Sequence, residues 1–170
     1  DTPRPAQTGL MSLQAVQVER QDRQETDYGP GAGYIAHQSA AGTKTDTPII
    51  ETPQSISVVT RDQIESQNAQ TVDQALRYTA GIEAESRANF TGFDFVYGRG
   101  FVLDRYLDGL KLEGAAAYIS PSIDIYNIER IDVLRGPASV LYGQASPGGL
   151  LNIVSKMPTA QPLHELMLQG

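Results

Sequence analysis

The sequence predicts an α+β fold in which a small mixed β-sheet is combined with short helices and long loops. Short apolar runs at residues 55–59, 131–134 and 150–154 have the length and composition of strands. Thr60 and Thr71 each stand three residues before a glutamine, which is the spacing of a helix capping box. The chain of 170 residues contains 16 glycines and 10 prolines, so turns and loops should be frequent.

Two helices are predicted to follow the capping threonines. The helix after Thr60 should extend to about Gln67. After Thr71, four residues recur at the spacing of one helix face, and Gly81 should end this second helix. The face consists of Val72, Ala75, Leu76 and Thr79.

Turn residues separate the remaining elements. Asp108 and Gly109 form a tight-turn signal between two apolar pairs, which predicts a hairpin. Residues 82–86 are compatible with a further short strand. Pro137 is suited to the first position of a short helix that Gly143 ends, and a Pro-Gly-Gly turn precedes the last strand.

Composition excludes several classes of function. The formal charge of −7 arises from 13 basic and 20 acidic residues that are scattered, which argues against nucleic-acid binding. The sequence has no cysteine, and its two histidines, His37 and His164, are far apart, so no metal site is predicted. No run of 18 apolar residues and no export-signal pattern at the start are found.

An enzymatic role finds little support in the motifs. The glycine-rich residues 98–103 lack the third glycine of a dinucleotide loop, and no P-loop lysine follows a glycine. Asp104, Asp108 and Glu113 could be viewed as an acid/base group, but a turn with solvated carboxylates explains them better. We therefore predict a protein that is not an enzyme.

Five motifs in order resemble the plug domain of TonB-dependent outer-membrane receptors, in particular ferric hydroxamate siderophore receptors of the ferrichrome type. The longest begins with Glu-Arg-Ile-Asp-Val-Leu-Arg-Gly-Pro and continues through Tyr-Gly, Pro-Gly-Gly and a final buried strand. The resemblance covers roughly residues 44–158. The motifs lie at residues 51–60, 75–81, 98–101, 106–112 and 129–156.

The resemblance implies three regions. Residues 1–45 would be a flexible N-terminal arm, residues 46–158 the plug, and residues 159–170 the start of the first strand of a barrel. On composition alone, the arm could equally be an ordinary polar linker. Residues 13–19 have strand-like character, and the resemblance makes them a candidate TonB box that TonB would add to its own sheet. The residues assigned to this box are Leu13, Val16, Gln17 and Val18.

The resemblance also implies a ligand site in the loops. Arg87 stands where ferrichrome-type receptors place a ligand-contacting arginine, and Tyr118 matches aromatic contacts of a second loop. Phe90 and Tyr97 complete the candidate site. A guanidinium suits the anionic oxygens of a ferric hydroxamate. Alternatively, Arg87 is a solvated loop charge, and the alternating aromatic residues cover one side of a strand.

Arg99 and Arg135 resemble family arginines that pair with carboxylates on the inner wall of the barrel. Such partly buried ion pairs fix orientation more surely than they add stability. In the isolated chain both arginines should be hydrated, and the domain should be marginally stable.

The implied function is the import of a ferric siderophore with energy that TonB transduces. The expected partners are TonB, the ferric siderophore and the receptor's own C-terminal barrel, with no nucleic acid. The expected place is the bacterial outer membrane, with the plug inside the barrel and the arm in the periplasm. No cofactor is expected, because iron arrives as a ferric siderophore complex. Alternatives are a receptor for haem, cobalamin or another chelate, and a free-standing non-catalytic binding module.

Overall fold

The computed structural model describes residues 25–26, 28–29, 31, 33–85, 95–112 and 122–158. Within this part of the chain, eight strands form two sheets, and three short helices lie between the strands in sequence. This arrangement confirms the predicted α+β class. The strands are β1 (Ser55–Thr60), β2 (Ile82–Glu83), β3 (Tyr97–Gly98), β4 (Phe101–Val102), β5 (Asp104–Leu107), β6 (Leu110–Lys111), β7 (Ile128–Arg135) and β8 (Gly149–Ser155). The helices are α1 (Arg61–Ser66), α2 (Val72–Ala75) and α3 (Ser139–Tyr142), with single 3-10 turns at Ile49–Glu51 and Ile125–Asn127.

The larger sheet has the strand order β1-β7-β8-β5-β6 and is mixed. The long strand β7 pairs antiparallel with β1, from Ser55 opposite Arg135 to Thr60 opposite Arg130. Its other neighbour, β8, is also antiparallel to it, whereas β8 runs parallel to β5. The smaller sheet joins β2, β3 and β4 in antiparallel order. None of the helices in the described part of the chain has the length and hydrophobicity of a transmembrane span.

Both predicted helix caps are present. The Thr60 hydroxyl oxygen accepts a hydrogen bond from the Gln63 amide, and Thr71 accepts one from the amide of Gln74. The prediction that the second helix extends to Gly81 is wrong, because α2 ends at Ala75. The following amides bond to carbonyls three residues back, so the chain continues as successive tight turns. The predicted face is buried at Val72, Ala75 and Leu76 but only partly at Thr79.

The predicted hairpin turn joins β5 to β6. Asp108 and Gly109 both have positive φ, at 49° and 79°, as such two-residue turns require. The Asp108 carboxylate accepts hydrogen bonds from the amide and hydroxyl of Ser155, at 2.8 and 2.6 Å. Asp104 likewise accepts one from the amide of Ser146 at 2.6 Å. These carboxylates therefore hold loops to the sheet instead of being merely solvated, and Glu113 lies outside the described residues.

The two faces of the larger sheet are covered differently. One face carries the main core, in which Ile131, Val133 and Leu151 pack beneath α1 and α2. On the other face, Leu134 and Leu150 form a smaller cluster with Tyr106 of β5, Ala138 just before α3, and Tyr142 of α3. Gly143, with φ of 70°, follows α3 where the sequence predicts its end.

Residues 33–45, termed here the cover segment, lie against this second face. Ala40 and Ala41 are buried, and the Tyr142 hydroxyl donates a hydrogen bond to the carbonyl oxygen of Ala41 at 2.9 Å. Gly42 lies so close to Ile56 that an added Cβ would come within 2.7 Å of its Cδ1 atom. This packing differs from the prediction of a flexible arm up to residue 45. The small residues let the backbone of the cover segment approach the sheet closely. The polar composition of the segment does not indicate this packing.

Candidate ligand-facing end of the sheet

Arg135 marks the end of the sheet where β7 stops and β8 begins. Its guanidinium donates hydrogen bonds to the carbonyl oxygen of Ala80 at 2.8 Å and to the hydroxyl of Ser57 at 2.9 Å. A longer contact of 3.4 Å reaches the hydroxyl of Ser55. The side chain therefore links β7 to β1 and to the turn after α2. Full hydration, which the sequence predicts for the isolated chain, does not apply to Arg135.

Arg99 adds a second positive charge close to this side chain. It occupies the turn between β3 and β4, is exposed, and has a φ of 52°. Burial lowers the pKa of Arg135 from its ordinary value, and the charge of Arg99 lowers it further. Within the described residues, neither guanidinium has a carboxylate at ion-pair distance. Two neighbouring cations attract carboxylates, and the ion pairs predicted for Arg99 and Arg135 stay a prediction.

The turn that carries Arg99 is held by close backbone packing. Gly98 and Gly148 face each other, and a Cβ added to Gly148 would come within 2.6 Å of the Gly98 carbonyl oxygen. Gly148 in turn accepts a hydrogen bond from the amide of Gly136, next to Arg135. The smaller sheet is therefore fixed at the Arg135 end of the larger one. Tyr97, a predicted ligand residue, is half-buried in β3 at this place.

Other predicted site residues lie outside the described residues. These are the ligand residues Arg87, Phe90 and Tyr118, and the TonB-box residues Leu13, Val16, Gln17 and Val18. The described residues that flank the ligand loops are informative. Glu85 and Phe95 adjoin β2 and β3, and the amide of Leu112 bonds to the carbonyl oxygen of Arg105 near the start of β5. These three flanks lie at the Arg135 end, whereas the fourth flank, Ser122, leads into the turn at Ile125–Asn127 that precedes β7 at the opposite end.

Sequence reasoning did not find the partners of Arg135. Ser55 and Ser57 alternate on β1 and lie near Arg135 because Ser55 is directly opposite it in the antiparallel register. The only sequence signal is this alternation of small hydroxyl residues. It becomes informative only when the pairing of β1 with β7 is known.

The described residues form a mixed-sheet domain with two neighbouring arginines, Arg99 and Arg135, at one end of the larger sheet, an arrangement that suits a binding module. A family model described as "TonB-dependent Receptor Plug Domain" matches residues 48–150. The chain belongs to this family. The family consists of receptors and transporters, which confirms the prediction that the chain is not an enzyme.

Similar proteins are outer-membrane receptors. The chain is 48% identical over 152 residues to the ferrichrome outer membrane transporter/phage receptor of Escherichia coli strain K12, which covers 86% of the chain and 20% of that protein. It is 46% identical over 134 residues to the ferrioxamine receptor of Yersinia enterocolitica, covering 76% of the chain and 19% of that protein. The chain thus spans about a fifth of the length of these relatives.

A solved structure shares the fold. The ferripyoverdine receptor of the outer membrane of Pseudomonas aeruginosa, bound to ferripyoverdine, matches with a TM-score of 0.66 and 27% identity. The match covers 79% of this chain and 18% of that receptor. The likeness confirms that the two sheets and short helices have the arrangement of a plug domain.

Proposed function

We propose that this chain is the plug of an outer-membrane receptor that binds a ferric siderophore and imports it with energy from TonB. The observation that carries the proposal is the family match over residues 48–150, together with identity near one half to receptors named for ferrichrome and ferrioxamine. Both names denote ferric siderophores. Iron is therefore cargo, and no resident metal is invoked.

The two ends of the sheet suit two different tasks. Three of the four flanks of the predicted ligand loops lie at the Arg135 end, whereas Gly33, where the cover segment begins, meets the sheet at Thr60 at the other end. From Arg130 to Arg135 the strand extends roughly 17 Å. In the proposed receptor, the Arg135 end faces the siderophore and the opposite end faces the periplasm. TonB engages the arm there, at residues 13–19.

Ligand binding can be coupled to the arm only as a difference in affinity. The siderophore must bind more tightly to the receptor state in which the arm is exposed than to the state in which it is docked. No covalent chemistry is required for such a relay. The plug needs only a ligand site at one end and a removable segment at the other.

Titration of the full-length receptor with a panel of ferric siderophores, haem and cobalamin tests the proposal. Arg87→Ala and Tyr118→Ala should each weaken binding of the best ligand about tenfold or more, as expected when a hydrogen bond to a charged group is lost or an aromatic contact is removed. Tyr126→Ala, at the opposite end of β7, is the control and should leave the affinity unchanged.

Each result has a clear meaning. Unchanged affinity in both loop variants would remove the assigned ligand site but not the family membership. Tight binding of haem or cobalamin, with no siderophore bound, would overturn the cargo class.

Arg135 allows a separate test of how the plug is held. Arg135→Ala should destabilise the sheet edge by about 2 kcal/mol, because the carbonyl of Ala80 and the hydroxyl of Ser57 lose a charged donor. Hydrogen exchange of β1 amides in the full-length receptor measures this. Arg135→Lys keeps the charge but not the planar fork of donors. If attraction to barrel carboxylates dominates, the lysine variant should behave as the unaltered receptor; if the local hydrogen bonds dominate, it should resemble the alanine variant.

A further inference from the structure

The covered face of the larger sheet contains two charged side chains. Arg130 and Asp132 are two residues apart on β7 and therefore point to the same face. They are 1% and 0% exposed, and Nε of Arg130 lies 3.5 Å from Oδ1 of Asp132. Charged side chains are rarely buried to this degree. Their burial requires a physical account that the ligand-facing end does not provide.

The N-terminal part of the chain closes this site. Nη1 of Arg130 donates hydrogen bonds to the carbonyl oxygens of Thr26 and Gln38, at 3.2 and 3.3 Å. Beside it, the Thr60 hydroxyl donates to the carbonyl oxygen of Gly33 at 2.7 Å. The amide of Gly33 donates to the carboxylate of Asp62 at 2.6 Å. The cover segment is thus attached to this end of the sheet by polar contacts.

The other half of the cover segment is attached by apolar contacts. Ala40 and Ala41 are buried, and Gly42 packs against Ile56 and Thr52. Burial of this apolar surface favours the docked segment. In the docked state, the apolar half of the cover segment, at residues 40–42, therefore buries apolar surface. The charged half, at residues 33–38, keeps the charges of Arg130 and Asp132 away from water.

The geometry of the charged half compensates poorly for that burial. Both hydrogen bonds from Nη1 are at the long end of the usual range, and the ion pair spans 3.5 Å. Within the described part of the chain, Nε and Nη2 of Arg130 donate no hydrogen bond. Taking two charges out of water is repaid only by excellent geometry and full hydrogen bonding. Hydration of Arg130 and Asp132 is thus a free-energy gain that becomes available when the segment leaves.

We propose that the Arg130–Asp132 pair is a release device, which lowers the free energy needed to detach the cover segment from the sheet. The proposal rests on the proposed function, in which force applied to the arm must remove this segment. The docked segment excludes water from the pair, and its departure hydrates both charges. The apolar half keeps the segment in place at rest, while the charged half keeps the cost of opening low.

Replacing the pair by apolar residues of similar size should hold the segment more tightly. In purified full-length receptor carrying Arg130→Met and Asp132→Leu, hydrogen exchange at the amides of Gln38, Lys44 and Ile49 should slow about tenfold or more, since buried ion pairs are often less stabilising than apolar replacements. The Gln38 amide of the cover segment donates to the carboxylate of Glu25, the Lys44 amide donates to Ala40 within the segment, and the Ile49 amide donates to His37 of the segment. Their exchange therefore reports the opening of the segment.

Removing one partner should have the opposite effect. Asp132→Asn retains the shape of the side chain but leaves the charge of Arg130 buried without its counter-ion. Exchange at the same amides should accelerate about tenfold or more. If the double variant does not fold, unchanged or slower exchange in Asp132→Asn would overturn the proposal.

Arg61→Met is the matched control. Nη1 of Arg61 also donates to two carbonyl oxygens, those of Ile125 and Ile128, but neither belongs to the cover segment. Exchange of the cover amides should therefore stay unchanged. Exchange in the double variant that is as fast as in the unaltered receptor, or faster, would show that the pair ties the segment down and would overturn the proposal.

The exchange experiment needs neither TonB nor ligand, so it is independent of the proposed function. In cells, the double variant should import siderophore more slowly at unchanged affinity. Slowed exchange with unimpaired uptake would overturn the assignment of the pair as a release device. If the unaltered receptor imports no ferric siderophore, the proposed function fails while the exchange result remains valid.

Discussion

Deleting residues 13–19 from the full-length receptor should abolish siderophore uptake and leave siderophore binding intact. These residues have strand-like character in a polar arm, and we propose that TonB captures them as an added edge strand. Main-chain hydrogen bonds supply most of such an interaction, so removing the whole segment should have a far larger effect than any single substitution within it. Uptake of iron-labelled siderophore by cells, together with titration of the purified variant, measures the two quantities separately.

A deletion of equal length at residues 2–8 is the matched control. It shortens the arm by the same number of residues but retains the candidate TonB box, so uptake should persist. Uptake that survives the loss of residues 13–19 would place the TonB contact elsewhere. Loss of binding as well as uptake would instead mean that the deletion disturbs the plug, and the variant would then say nothing in favour of a TonB box.

The sheet was predictable because its strands are locally consistent. The segments at β1, β7 and β8 combine strand-type composition with turn residues at their ends. The length of α2 was not predictable in this way, because the apolar spacing continues to Thr79 although the chain has already left the α-helix. Periodicity records which residues are buried, and successive tight turns can bury the same residues.

The arginines of the candidate site were found from a motif, but their surroundings were not. Arg130 and Asp132 alternate on a strand, and such a polar pattern is typical of a solvent-facing side. The structure instead covers that side with residues 33–45, whose polarity suggests a free arm. The burial of Arg130 and Asp132 cannot be inferred from either segment alone. It arises from contacts between distant parts of the chain, such as the hydrogen bond from Arg130 to Gln38, which are 92 residues apart in sequence.

Gly149→Ala should be among the most damaging single substitutions in the plug. Gly149 begins β8 opposite Arg135, with a φ of 116° that side chains rarely adopt. An added Cβ would overlap the carbonyl oxygen of Leu134 and come within 3.0 Å of the Arg135 Cα atom. The substitution should therefore force β7 and β8 apart at the ligand-facing end. Backbone strain and overpacking together should cost roughly 3–5 kcal/mol.

Gly136→Ala separates the two causes. Gly136 also has a positive φ, of 88°, but an added Cβ would meet no atom within 4 Å. The substitution Gly136→Ala should therefore lower the free energy of unfolding only by the backbone strain, about 1–2 kcal/mol. Hydrogen exchange of the β7 and β8 amides in the full-length receptor measures both variants on one scale. Equal losses of protection would show that the approach of Gly149 to Leu134 is not tight. A larger loss for Gly149→Ala, with weaker siderophore binding, would show that contact between these backbones shapes the end of the sheet from which the ligand loops leave.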